Sequence, residues 1–335
     1  MTADTTPAGE SRQTTALQLV RRTFTAPAVG PLLALILTMA FFSLKSDRFL
    51  QAQNLSLVLQ QVMVVGVLAI GQTLVILTAG IDLSVGTVMA FGQIVMTKLA
   101  VASGVPGIPA LILGILTCVG FGMLNGGLVT TIRLPAFIVT LGTLNIAFAL
   151  THIVSNDLTF SPLPSELLFF GRTFTIGGAD FTYGVVLMLL LYAVAWFALS
   201  QTAWGRHVYA VGDNREAARL TGINTERVLI GVYTIAGLTY GIAAMLLVAR
   251  TELGDPNAGQ TTENLDSITA VVLGGTSLFG GRGTVIGTLI GATIVGVFRN
   301  GLTLIGVQVI YQYLVTGVLV ILAVSVDQLT HRRQR

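Results

Sequence analysis

Uninterrupted apolar runs limit what this chain can become. VLMLLLYAVAWFAL at 186–199 and LVTGVLVILAV at 314–324 carry no charge and do not alternate between apolar and polar residues. Strands of a membrane barrel are segments of about ten residues that alternate in and out, so a barrel is excluded. A soluble domain is excluded by composition. Of 335 residues, 10% are charged and 53% hydrophobic, against roughly 25% charged in soluble domains. What remains is an all-α, polytopic transmembrane helical bundle, each helix satisfying its own backbone hydrogen bonds.

About ten spans are expected: near 28–44, 55–79, 84–103, 108–130, 135–155, 183–200, 229–249, 266–280, 283–305 and 308–327. Segment 55–79 contains Gln60, Gln61, Gly66, Gly71 and Gln72 and is a candidate for a break in its middle. Segment 266–280 is short and glycine-rich, a candidate half helix or re-entrant element. Such discontinuities are tolerated where backbone lines a cavity. Residues 1–26 carry Arg12, Arg21 and Arg22 and lack the apolar stretch of a cleavable signal. They are expected to form a disordered cytoplasmic tail, with 27–328 the membrane domain and 329–335 a second cytoplasmic tail. With both termini inside, twelve arginines fall inside; Lys45, Arg48, Lys98, Arg172, Arg250 and Arg299, six basic residues, fall outside or in the outer half. That asymmetry follows the positive-inside rule.

The exception to the oily pattern is Trp204–Arg227, WGRHVYAVGDNREAARLTGINTER. It holds Arg206, His207, Asp213, Arg215, Glu216, Arg219, Glu226 and Arg227 and cannot sit in lipid. Gly205 and Gly212 are expected to break the stretch ahead of a short helix. Asp213 or Asn214 can cap that helix, and Gly222 with Asn224 can end it. Ala217, Ala218 and Leu220 give it a small, apolar side.

Glu216-Ala217-Ala218 followed by Gly222 resembles the EAA-x3-G signature of binding-protein-dependent ABC permeases. The wider GRHVYAVGDNREAARLTGIN is similar to the ribose/xylose/galactose-type branch, as are ILTAGIDLSVG at 76–86, LPAFIVTLGT at 134–143 and AVVLGGTSLFGGRGTVIGTLIGA at 270–292. The resemblance spans roughly residues 50–327. It implies that 204–227 is a cytoplasmic coupling loop docking on an ABC ATPase subunit, through Arg206, Asp213, Asn214, Arg215, Glu216, Ala217, Ala218, Arg219 and Gly222. It further implies an extracytoplasmic sugar-binding protein, a second permease copy in a homodimer, a lipid environment and a place in the bacterial inner membrane. The chain itself has no nucleotide fingerprint. Gly275-x4-Gly280 is followed by Gly281-Arg282 rather than Lys-Ser/Thr. ATP is therefore expected to be used by the partner subunit, with no cofactor and no catalytic residue here.

Candidate residues for a translocation path are Gln72, Asp82, Gln93, Phe137, Asn145 and Asn300, because a sugar needs amide and hydroxyl partners beside an apolar wall. Asp82, in GIDLSVG, has two readings. An intramembrane carboxylate is a functional hypothesis by default; equally, it can cap the next helix by accepting from the Ser84 and Val85 N–H groups. Gly122-x3-Gly126, Gly237-x3-Gly241 and Gly283-x3-Gly287-x3-Gly291 are small-residue stripes for close helix packing. Cys118 is the lone cysteine, so no intrachain disulfide is possible. Three scattered histidines make neither a metal set nor a hydrolytic triad, and no basic patch suits nucleic acid. The expected function is a permease subunit moving a monosaccharide. Its rivals are a permease for another small solute, a secondary symporter coupled through Asp82, and a membrane scaffold.

Overall fold

A computed structural model describes residues 29–259 and 262–332. The tail expected over residues 1–26 lies outside the described residues. The first helices are α1 (Val29–Lys45), α2 (Ala52–Leu77), α3 (Val85–Val101), α4 (Gly107–Gly127) and α5 (Ala136–Ser155). A π-helical turn, Leu128–Ile132, extends α4. After α5 come the single turn α6 (Ser165–Leu168), a hairpin of β1 (Thr173–Ile176) and β2 (Ala179–Thr182), and α7 (Tyr183–Gln201). The chain ends with α8 (Ala203–Asp213), α9 (Arg215–Leu220), α10 (Thr225–Thr251), α11 (Thr262–Leu273), α12 (Val285–Leu304) and α13 (Val309–Arg332).

Six described helices are long and apolar enough to cross a bilayer: α2, α4 with its π turn, α5, α7, α10 and α12. Helices α1 and α3 are apolar but shorter. At 12 residues, α11 reaches about 18 Å, too short to span. It covers part of 266–280, the glycine-rich segment read as a half helix or re-entrant element. The break considered within 55–79 is absent: α2 runs unbroken for 26 residues. Its glycines instead make room, Gly66 for Met188 and Tyr192, Gly71 for Thr239 and Tyr240.

Helices α2 and α10 form the centre, 83% and 78% buried along their apolar windows, against 28% for α4, α5 and α7. A helix apolar all round is buried, and α2 fits that rule. Two of the small-residue stripes cross where α4 meets α10. A side chain at Gly122 would strike the Tyr233 carbonyl, and one at Gly237 the Cys118 carbonyl. In the third stripe, Gly287 and Gly291 of α12 lie against the Gly274 and Ala270 carbonyls of α11 and its exit. Gly283 falls in the turn before α12, at φ +149. Cys118 is buried and donates to the Val88 carbonyl at 3.3 Å.

The hairpin lies between the spans expected at 135–155 and 183–200, where no strand was anticipated. Its strands pair Thr173 with Thr182 and Ile176 with Ala179, around Gly177-Gly178. Both glycines have positive φ, as a two-residue primed turn requires. Ser56 of α2 hydrogen-bonds to the Asp180 carbonyl and so ties the hairpin to that end of the bundle. Helices α8 and α9 project from the opposite end.

Candidate functional site

The charged island folds as two helices. In α8, Gly205, Val208, Val211 and Gly212 are buried while Arg206 and Asp213 are exposed. Thr202 starts it, its Oγ1 accepting from the Gly205 N–H at 3.2 Å. The expectation that Gly205 and Gly212 break the chain is therefore corrected: both lie inside α8. Their bare Cα atoms let it press on neighbouring backbone. A Cβ at 205 would meet the Leu199 carbonyl at 2.2 Å, and one at 212 the Leu77 carbonyl at 1.7 Å. That second contact joins three segments. Gly281 N–H donates to the same Leu77 oxygen at 3.0 Å, and the Tyr209 hydroxyl donates to the Gly283 carbonyl at 2.9 Å. The end of α2, the turn 274–284 and α8 thus share one junction.

Asn214 is the cap of α9, its Oδ1 accepting from the Ala217 N–H at 2.9 Å. The helix ends in a Schellman motif: Ile223 N–H reaches the Ala218 carbonyl at 3.1 Å and Gly222 N–H the Arg219 carbonyl at 3.0 Å. Gly222 has φ +89, a conformation that glycine adopts without strain. Asn224 belongs to the next helix, where it accepts from the Arg227 N–H at 3.0 Å and caps α10. Ala218 is buried, whereas Arg215, Glu216, Ala217, Arg219, Leu220 and Gly222 are exposed. Glu216 and Arg219 pair at 2.6 Å. The Arg219 hydrogen bond and charge hold the Glu216 carboxyl below its ordinary range, and Glu216 in turn raises Arg219. The result is a short, rigid knob with an exposed ion pair and a small, flat flank.

A second polar assembly lies inside the bundle, around the non-helical link between α2 and α3. Asp82 Oδ1 accepts from the Ser84 N–H at 2.8 Å and from Ser84 Oγ at 2.6 Å. Its Oδ2 accepts from the Tyr240 hydroxyl at 3.1 Å. Asp82 thus forms an Asx-type turn; Ser84, not Asp82, is the N-cap residue of α3, and no side-chain cap bond is made there. The link is held from four sides, three of them at its backbone. Gln72 donates to the Asp82 carbonyl at 3.2 Å. Thr140 bridges the Ile81 carbonyl and the Leu83 N–H, each at 3.1 Å. Asn264, from α11, donates to the Leu83 carbonyl at 2.8 Å. Asn125 reaches Ser84 Oγ at 3.2 Å. Tyr240 is near the middle of the 27-residue α10, so the assembly sits at mid-depth.

Of the six path candidates, the structure brings Gln72 and Asp82 together. Gln93 lies further along α3 and donates to the Asp255 and Ala258 carbonyls at 2.7 and 3.2 Å. Phe137 and Asn145 are on the exposed side of α5, where Asn145 bonds to its own helix at the Leu141 carbonyl. Asn300 forms a reciprocal amide pair with Asn54, at 3.0 and 2.9 Å, between α12 and the start of α2. These four do not join Asp82 in one lining. Sequence reasoning named the Ser84 N–H as a donor to Asp82, which the structure shows, but missed Tyr240 as a partner. The signal was Tyr233 and Tyr240, seven residues apart on an apolar helix, since a buried phenol needs a partner for its hydroxyl. Among the described residues, no cluster of three or more His, Cys, Asp or Glu could hold a metal.

An apolar helical bundle, a polar link braced at mid-depth and a capped helical knob at one end define a multi-pass membrane protein of the transport class. Residues 54–324 match the family described as branched-chain amino acid transport system, permease component, and the chain belongs to that family. It is 47% identical over 309 residues to the fructose import permease of Rhizobium meliloti, covering 90% of this chain and 86% of that protein. It is 39% identical to the ribose import permease of Bacillus subtilis, covering 90% and 92%. It is 33% identical to the xylose transport system permease of Escherichia coli, covering 90% and 91%. The chain is thus a transport subunit of the bacterial inner membrane rather than an enzyme, and ATP hydrolysis falls to a separate ATPase subunit.

Proposed function

We propose that this chain is the permease subunit of an ATP-driven importer for a monosaccharide, resembling the fructose, ribose and xylose systems in cargo as well as in sequence. In this reading ten helices lie in the membrane, both termini face the cytoplasm, and α8 with α9 is the cytoplasmic coupling element. A sugar-binding protein delivers cargo at the hairpin end, two copies of the permease form the path between them, and ATPase subunits dock on the knob.

The observation that carries the reading is the junction under the knob. A push on α9 passes into α8, and Gly212 conveys it to the end of α2 and, through Gly281, to the turn that leads into α12. The knob itself offers the Glu216–Arg219 pair to charged groups of a groove, and Ala217 permits close approach.

The test uses the importer assembled from this chain with its ATPase and binding protein. Glu216→Lys reverses the exposed charge. Gly222→Leu places a side chain at φ +89, where L residues are strained by about 1–2 kcal/mol. Both variants are expected to reach the membrane at normal abundance, yet to lose sugar uptake while ATP hydrolysis continues. Normal uptake by both would remove the coupling role. Uptake of leucine but of no sugar would replace the cargo and leave the mechanism.

A further inference from the structure

Helix α12 carries a guanidinium where none is expected. Arg299 lies five residues before the end of α12 at Leu304, about 8 Å along the axis, on a helix apolar enough to span. An arginine near a helix end ordinarily extends toward the headgroups. This one turns sideways instead. Its Nη1 donates to Asp266 Oδ2 at 3.1 Å, on α11; the Asp266 side chain is 6% exposed and Arg299 37%. Glu263 and Arg250 lie within electrostatic reach of the pair. Glu263 is itself buried, and its Oε2 has no partner among the described residues.

The pair lies in the wall of a narrow cleft of about 20 Å³ between α11, α12 and α13, room for a single water or hydroxyl. Phe298, Gln312, Tyr313 and Thr316 share that wall. Gln312 is held in place, its amide donating to Thr303 Oγ1 and the Val307 carbonyl at 3.1 and 3.0 Å. Nothing about helix packing requires this chemistry, because an apolar pair of similar volume is as stable in such a place or more so. A fixed donor fork beside a fixed acceptor matches the vicinal hydroxyls of a neutral polyol, and the aromatic rings match its C–H face.

We propose that Asp266 and Arg299, with the Phe298 and Tyr313 rings, form a sugar-hydroxyl subsite on the outer half of the translocation path. This rests on the monosaccharide reading above. The cleft opens on the exterior of the single subunit, where Arg299 would otherwise meet lipid, so the subsite is completed by water or by the second copy across the path. Sugar released from the binding protein exchanges hydroxyl contacts for part of the ion pair on its way inward.

The experiment uses the complete importer in liposomes, with sugar-loaded binding protein in excess, and D-fructose, D-ribose and 2-deoxy-D-ribose as probes. Asp266→Asn and Arg299→Lys are compared with the exchange Asp266→Arg/Arg299→Asp. Both single variants are expected to lower sugar flux at least about tenfold, the equivalent of one lost charged hydrogen bond, with basal ATP hydrolysis unchanged. The exchange should not restore flux, and the preference for ribose over 2-deoxyribose should shrink in every variant. Restoration by the exchange would make the pair a structural latch and overturn the subsite, as would unchanged preference in Arg299→Lys, the variant that keeps the charge. If the unaltered importer carries none of the three sugars, the monosaccharide reading fails instead.

Discussion

Replacing Gly212 by alanine tests the junction directly, because the elementary expectation has the opposite sign. In a helix interior, Gly→Ala is stabilising by about 1 kcal/mol through backbone entropy. At 212, however, the new Cβ would lie 1.7 Å from the Leu77 oxygen and 2.7 Å from the Gly281 nitrogen, where ordinary contact begins at 3.4 Å. Both obstacles are backbone, so no rotamer relieves the clash. The helix must lift away from α2 by well over 1 Å, and the Gly281-to-Leu77 bond stretches or breaks. Losing that bond costs about 1 kcal/mol, and overpacking costs about 1–3 kcal/mol. Offset by helix propensity, the net destabilisation is roughly 1–3 kcal/mol. At about 2 °C per kcal/mol for a chain of this size, the purified subunit should melt roughly 2–6 °C lower. Gly120, on the exposed side of α4 with nothing within 4 Å, is the control; Gly120→Ala should melt at the same temperature or slightly higher. The assays are melting in detergent and, in the assembled importer, the ratio of sugar moved to ATP hydrolysed, which should fall for Gly212→Ala alone. A Gly212→Ala subunit as stable and as well coupled as the Gly120→Ala control would refute the junction.

Asn54→Ala should destabilise by about 1–3 kcal/mol, since it strands the buried Asn300 amide; the double variant with Asn300→Ala should lose less than the two singles together, as read by melting. Tyr240→Phe removes one of three donors to the buried Asp82 carboxylate and should lower stability by about 1.5–3 kcal/mol, whereas Tyr209→Phe, which loses a bond to a neutral carbonyl nearer the surface, should cost about 0.5–1.5 kcal/mol. Glu216 titrates below the usual carboxylate range because Arg219 favours its charged form. A lowered value means that any stabilisation is present above the unfolded value of about 4.3 and fades as pH falls through the folded one. Because the pair is fully solvent-exposed, melting between pH 5 and 8 should not respond to Arg219→Gln, while the Glu216 carboxyl, followed by NMR, should move up toward its ordinary titration range. A drop in melting temperature across that pH window would show the pair to be buried against something.

The sequence made most helices legible because a bilayer demands long apolar runs and little else mimics them. It also made the knob legible, since Asn214 and Gly222 are local capping signals whose effect does not depend on the rest of the fold. Where reading failed, the deciding partner was distant in sequence. Gly205 and Gly212 look like helix breakers when only their neighbours are considered. They sit inside α8 because Leu199 and Leu77 approach there. The hairpin was readable in principle: Thr-Phe-Thr-Ile, Gly-Gly, Ala-Asp-Phe-Thr has the primed-turn pattern, but the residues between two expected spans were read as loop. The unbroken α2 misled in the other direction, because glutamines and glycines that suggest a kink serve side-chain bonding and close approach instead.

The path candidates show a more general limit. Polar residues in spans were read as a lining, but a bundle with interrupted helices has a prior use for them. The link 78–84 and the segment after α10 place non-helical backbone at depth, where unpaired carbonyl and N–H groups are costly. Gln72, Thr140 and Asn264 serve the first, and Gln93 serves the second at Asp255 and Ala258. Asn300 is taken up by Asn54. Residues already committed to holding backbone make poor substrate contacts, since a passing sugar would have to break the fold to use them. The same reasoning isolates what is left over. Among the described residues, the Asp266 and Arg299 side chains brace no interrupted backbone in this way, yet bring opposite charges together beside Glu263 and Arg250. An importer needs groups that can exchange partners without unfolding the helices that carry them, and the Asp266 and Arg299 side chains, which among the described residues hydrogen-bond to each other, meet that condition.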